Sequence, residues 1–285
     1  MNLSRHLSVK YMPGNNTDAT ICVPGFVPRS EQAFSMQLSV LLDLGDVWLV
    51  DYPDGAFNLD QVLNGLTELI KGINEEGIKP NIISVSFGCS LIFELLKREP
   101  DLPINKHILI SPIVMLQDMF VSSSDTTFFG ALAGSIIESR YCLNRGRGEI
   151  KKARKALRKL MAVGISYDSK SLCPEPLLTE VHEAILSVED QGIHQRLEAL
   201  ARFKRLSGEP INNHPTLVIW AEDEKYVIRT ASENYKLLSE NTGRIFPRGI
   251  SITLKSNDEK EIKHASLLFH AEYYNEHIRK FLEET

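Results

Sequence analysis

"NIISVSFGCSLIFELL", residues 81–96, passes from a strand-like run to a helical pattern over the shortest possible turn. Its first half is apolar and rich in β-branched residues, and helix periodicity starts directly after Gly88. Ser86 stands at the junction, with the small residues Ser84 and Gly88 two positions to either side. Two readings compete for Ser86. One is ordinary strand-to-helix turn chemistry or a helix cap; the other is a serine held outward as a nucleophile, which needs a base and an orienting group elsewhere in the chain.

Working outward, strands and helices alternate. "ATICVPGF" is a short buried strand ending at Pro24-Gly25, and "SEQAFSMQLSVLLDLG" predicts one helix with Ser30 as cap, closed by Gly45. "DVWLVDYPDG" is the next strand, and Asp51 reads as a capping residue for the turn before Pro53. A helix follows with Leu59, Val62, Leu66, Leu69 and Ile70 on one face. After the 81–96 unit come the strands "KHILISPIV", "PTLVIWA" and "GISITLKS", and a last helix in "LLFHAEYYNEHIRKFLEE" that takes in His270 and His277. Strands that are apolar without alternation are covered on both faces, the mark of a parallel sheet. The expected fold is therefore α/β, a doubly wound, mostly parallel sheet. Between 115 and 210 the alternation stops and helical patterns dominate. We expect a core built from 1–114 and 211–285, with 115–210 inserted as a helical lid over the strand ends.

A chain of 285 residues with 43% hydrophobic content can bury one large core. The formal charge of -5 offers no general attraction to nucleic acid. The N-terminus lacks the apolar core of a signal peptide, and no segment approaches the ~18 apolar residues of a membrane span. Cys22, Cys89, Cys142 and Cys173 form no CxxC pair and have no histidines at metal spacing, so they read as free thiols. Cys89, at the start of a helix, reads as a small packed residue. A cytoplasmic location is expected.

Three further segments give Ser86 its partners. Ser84-Val85-Ser86-Phe87-Gly88 resembles the nucleophile elbow G-x-S-x-G of the α/β-hydrolase family, with Ser84 in place of the first glycine. "LVIWAEDEKYVI" is similar to the family's acid turn. Ala221 takes the small position there and Glu224 the acid's place, with Asp223 its immediate rival. "IKHASLLFHAEYYNEHIRKFLEE" resembles the closing segment, in which His264 precedes the last helix. "CVPGF" resembles the oxyanion loop, with Pro24 where a histidine often stands. The resemblance implies backbone amides of Phe26 and Phe87 as oxyanion donors, with Gly25 letting the loop turn inward.

The implied reaction is acyl transfer: His264 deprotonates Ser86, an acid at 224 or 223 orients the imidazole, and no metal or organic cofactor is required. The substrate class is a small-molecule carboxylic ester or thioester. An acyltransferase uses the same triad when water is excluded, and a non-catalytic ligand-binding protein can use the same scaffold. A serine at the elbow speaks against the dehalogenase and epoxide hydrolase branches, where an aspartate stands there. The run "RGRGEIKKARKALRKL", residues 145–160, is a basic amphipathic helix by pattern. Its charged face is either a solvated surface or a landing site for a coenzyme A- or carrier-linked acyl group.

Overall fold

The computed structural model describes residues 7–26, 29–118, 175–224, 227–228, 230–256, 262–264, 266–267 and 270–284. The basic run at 145–160 and most of the expected lid, residues 119–174, lie outside the described residues. Seven strands form one sheet: β1 (Ser8–Met12), β2 (Asp18–Val23), β3 (Gly45–Asp51), β4 (Asn81–Val85), β5 (His107–Ile110), β6 (Thr216–Ala221) and β7 (Gly249–Leu254). Their order is β1-β3-β2-β4-β5-β6-β7. Every neighbouring pair is parallel except β1 with β3, where Ser8 pairs with Asp51 and Met12 with Val47. β1 has no counterpart in the sequence reading. Its pattern is largely exposed, so it lacks the apolar run that marks the inner strands.

The described helices are α1 (Ser30–Ala33), α2 (Leu38–Leu44), α3 (Leu59–Glu75), α4 (Phe87–Arg98), α5 (Glu175–Ser187), α6 (Asp190–Arg202), α7 (Glu233–Glu240), α8 (Thr242–Ile245) and α9 (Ala271–Glu283). They cover both faces of the sheet, and consecutive strand residues divide between the two layers. Ile82, Leu109 and Val218 pack with Val62, Leu66, Leu69 and Ile92 on one side. Ile83, Ile108, Leu217 and Ile219 pack with Leu41, Tyr274, Ile278 and Phe281 on the other. This explains why the strand sequences do not alternate. Among the described residues no helix is long and apolar enough to cross a membrane.

Four local expectations are corrected. The helix predicted from residue 30 to Gly45 is two helices, α1 and α2, separated by a turn at 34–37. Ser30 is not the cap: it lies inside α1, and its buried hydroxyl sits 2.6 Å from Val50 O and 3.1 Å from Cys22 O, tying the helix to the strand ends. Asp51 does the capping, across space rather than within its own turn, by accepting from the Ser30 N–H at 2.7 Å. His270 is not within the last helix but at its N-terminal boundary, whereas His277 is inside it.

His107 on β5 is buried, and among the described residues neither ring nitrogen meets a hydrogen-bond partner. Burial, assisted by the nearby His214, lowers its pKa from 6.5 to about 3. The unfolded chain therefore binds a proton that the folded chain refuses between those two values. Stability falls as pH drops through that window, by up to about 1.4 kcal/mol per pH unit. His107→Leu should flatten the melting temperature's dependence on pH below about 6.5, which thermal melts from pH 7 to pH 4 will read.

Candidate active site

β2 lies between β3 and β4, so the chain leaves β2 toward one side of the sheet and returns to build the other. The carboxyl ends of β2 and β4 flank the crevice where α/β sheets bind ligands. The Pro24-Gly25-Phe26 loop follows β2, and Ser86 follows β4. Ser86 has φ 52 and ψ -115, a backbone conformation that a non-glycine residue adopts only under constraint. The constraint comes from the ladder below, where Ser86 N–H donates to Ile110 O at 2.9 Å, and from α4 starting at the next residue.

The small neighbours have separate reasons. A β-carbon at Gly88 would stand 2.4 Å from Pro24 O and 2.7 Å from Val23 O, both backbone atoms. Gly88→Ala must therefore push the end of β2 away, and should cost about 2 kcal/mol or more in a urea titration. Ser84 is fully buried beneath the elbow, and its hydroxyl lies 3.4 Å from Ile108 O and from Cys89 Sγ. These contacts let a serine occupy the usual glycine position. Cys89 itself is packed; burial pushes its thiol up to about 12. Gly25 has no positive φ, and a β-carbon there would make only ordinary contacts, 3.4 Å from Ser86 Cβ and 3.9 Å from Ser86 Oγ, so glycine leaves open space beside the serine hydroxyl rather than avoiding a clash.

The imidazole and the carboxylate converge on this serine. His264 Nε2 is 3.0 Å from Ser86 Oγ, and His264 Nδ1 is 2.6 Å from Glu224 Oε2. Glu224 follows β6 and is 1% exposed. Its other oxygen accepts from Ala221 N–H at 2.9 Å and from Ser111 Oγ at 2.6 Å. Three donors thus satisfy a buried carboxylate that would otherwise be costly to desolvate. Asp223 takes a different position. It pairs with Lys263 in a parallel bridge, and its N–H donates to Ile262 O at 3.1 Å. That bridge stitches the histidine loop to the acid turn and sets Glu224, one residue on, against the imidazole.

The two residues expected to supply oxyanion amides also meet here. Phe87 opens α4, so its N–H has no intrahelical acceptor. The Phe26 and Phe87 rings lie 4.8 Å apart, on a buried aromatic group that includes Tyr52 and Phe57. Tyr52 Oη donates to Pro24 O at 2.9 Å.

Residues outside the sequence reading complete the surroundings. Ser111 directly follows β5, with φ 46, and supports Glu224; the signal was the Ser-Pro step after "HILI". Arg196 on α6 is 3% exposed, and its Nη1 donates to Phe26 O at 2.6 Å. It stands three residues after Ile193 and four before Leu200, both buried, so the helical stripe already marked its face as inward.

No protein-family model matches this sequence and no curated protein resembles it. Solved structures do resemble the fold. An esterase from Exiguobacterium antarcticum aligns with TM-score 0.68 at 15% identity, covering 98% of this chain and 96% of its own. An enol-lactonase from Burkholderia xenovorans LB400 aligns with TM-score 0.67 at 14% identity, covering 97% and 96%. An epoxide hydrolase from Bacillus megaterium aligns with TM-score 0.67 at 13% identity, covering 98% of each chain. Near-complete coverage, the TM-scores and the mostly parallel sheet agree: this chain has the α/β-hydrolase fold.

Proposed function

We propose that this chain is a serine hydrolase that cleaves a carboxylic ester or thioester through an acyl-enzyme on Ser86. The observation that carries the reading is the continuous contact from Ser86 Oγ to His264 to Glu224, at 3.0 and 2.6 Å. With Nδ1 protonated and donating to Glu224, Nε2 is free to accept the Ser86 proton. Oγ then attacks the carbonyl carbon, and the negative oxygen settles on the Phe26 and Phe87 amides. The imidazolium returns its proton to the leaving alcohol or thiol as that bond breaks. Water attacks the acyl-enzyme in the same way, and Ser86 regains its proton as the carboxylic acid leaves.

Two of the fold neighbours carry the names esterase and enol-lactonase, which agrees with this reaction class. Ser86 at the elbow favours acyl-enzyme chemistry over epoxide opening. Segment 115–210 is assigned here as the lid. In support, Glu189 N–H donates to Asp54 O at 3.0 Å, and Gly192 lies so close to that loop that a β-carbon would stand 2.2 Å from Asp54 O. Those contacts hold α6 against the loop that follows β3, at the carboxyl end of the sheet. The buried free thiols Cys22 and Cys89 suit a reducing compartment such as the cytoplasm.

A fluorophosphonate probe tests the reading. It should add covalently to the peptide carrying Ser86, and a folded wild-type protein that takes up no probe defeats the proposal. Acyl chains of graded length, offered as oxygen esters, simple thioesters and coenzyme A thioesters, then identify the acyl group and any carrier.

A further inference from the structure

We propose that Arg196 is a positioning residue for the oxyanion hole, so that α6 of the insertion, and not the sheet core alone, holds the Phe26 amide in place. This rests on the acyl-transfer reading of the site. The peptide that presents the Phe26 N–H joins residues 25 and 26, and the peptides on either side of it are both anchored through their carbonyls. Tyr52 Oη donates to Pro24 O at 2.9 Å on one side. Arg196 Nη1 donates to Phe26 O at 2.6 Å on the other. With both flanking planes fixed, the plane between them has little freedom to rotate its N–H away from the crevice.

The two anchors brace one another. The Arg196 guanidinium lies 5.4 Å from the centre of the Tyr52 ring and 6.0 Å from that of Phe57. Nη2 donates to Pro53 O at 2.9 Å, on the chain that leaves β3. The helix that carries Arg196 is itself fixed in register. Gly192, one turn earlier on the same face, abuts Asp54, and Gln195 Oε1 accepts from Phe57 N–H at 2.6 Å.

The chemistry of the position argues against packing alone. Among the described residues Arg196 makes no direct ion pair: Asp54 and Asp51 act on it only at longer range, burial lowers its pKa, and its Nε has no hydrogen-bond partner. A buried guanidinium without a contacting counter-ion is expensive, and an apolar side chain of similar volume would fill the space at lower cost. A cation bonded to the Phe26 carbonyl also favours negative charge on an oxygen held by the neighbouring amide. Geometry and charge therefore act in the same direction at the moment the tetrahedral intermediate forms.

The test compares Arg196→Met, Arg196→Lys and Tyr52→Phe with wild type. Active sites are counted by fluorophosphonate titration, so that rates refer to folded, competent protein. Four quantities are measured: kcat and KM for p-nitrophenyl butyrate, the Ki of an aryl trifluoromethyl ketone, and the Ki of butyrate. The ketone adds to the serine and places a negative oxygen in the oxyanion hole, whereas butyrate makes no such adduct. Arg196→Met should lower kcat about 100-fold, the scale of a misplaced catalytic group, and weaken the ketone in parallel. KM and the Ki of butyrate should stay near wild type. Arg196→Lys, which keeps the charge but not the fork, should recover part of kcat, and Tyr52→Phe should show the same split at smaller size. Unchanged kcat in Arg196→Met overturns the proposal, as does an equal loss of affinity for ketone and butyrate. If Arg196→Met does not fold, wild-type kcat in both other variants overturns it. Failure of the underlying reading is seen separately, as a wild-type protein that neither takes up the probe nor hydrolyses any ester.

Discussion

Ser86→Ala should lower kcat on the best substrate of the acyl panel by about a millionfold, while leaving the protein folded. The size follows from the contact geometry. With Oγ gone, His264 has no proton to take and no acyl-enzyme can form, so only binding and the oxyanion amides are left to act on the bound ester. The backbone supplies a second, independent readout. Ser86 is held at φ 52, and alanine inherits that strain whereas glycine does not. Ser86→Gly should be as inactive as Ser86→Ala yet more stable than it by about 1 kcal/mol, the strain relieved less the added freedom of the unfolded chain. Urea midpoints of the two variants measure this. Equal activity of Ser86→Ala and wild type would end the acyl-enzyme reading. Equal stability of the two variants would mean the elbow is not strained.

Glu224→Gln should lower kcat by about 10⁴-fold, and Asp223→Asn should leave it near wild type. A glutamine at 224 keeps a carbonyl oxygen for the Ala221 N–H and the Ser111 hydroxyl, so the turn survives. It then presents an NH₂ group to His264 Nδ1. That favours the tautomer with the proton on Nε2, which cannot accept from Ser86, and it removes the charge that steadies the imidazolium. Asp223→Asn touches neither contact, because residue 223 is held by its backbone bridge to Lys263. Steady-state kinetics with active sites counted by titration separate the two carboxylates. A large loss in Asp223→Asn with none in Glu224→Gln would reverse the assignment made from the geometry.

These two results bear on different parts of the sequence reading. The elbow was legible because its pattern is local: a serine between two small residues, on a strand that turns at once into a helix. The reason Gly88 must stay bare was not legible, since the backbone atoms that forbid a side chain there belong to Val23 and Pro24, at the end of β2. His264 was legible by its place before the last helix, and the inner strands by apolar runs that two helix layers must cover. The choice between Asp223 and Glu224 was not legible. Adjacent carboxylates look alike until the chain's path assigns one to a bridge and the other to the imidazole. β1 was missed because an exposed edge strand needs no apolar run. Ser30 was misread because its serine-led pattern resembles a cap, whereas the cap comes from Asp51 on another element.

The sequence by itself determined the layered fold, the strained serine turn and the histidine that could serve it, because backbone conformation and two-sided burial are set by neighbouring residues. Only the tertiary structure decided which carboxylate meets the ring, and that Ser111, Tyr52 and Arg196 brace the site. Hydrogen bonds between residues as distant as 26 and 196 exist only after the sheet has formed and α6 has packed against the loops at its carboxyl end. No spacing along the chain encodes a contact made across it.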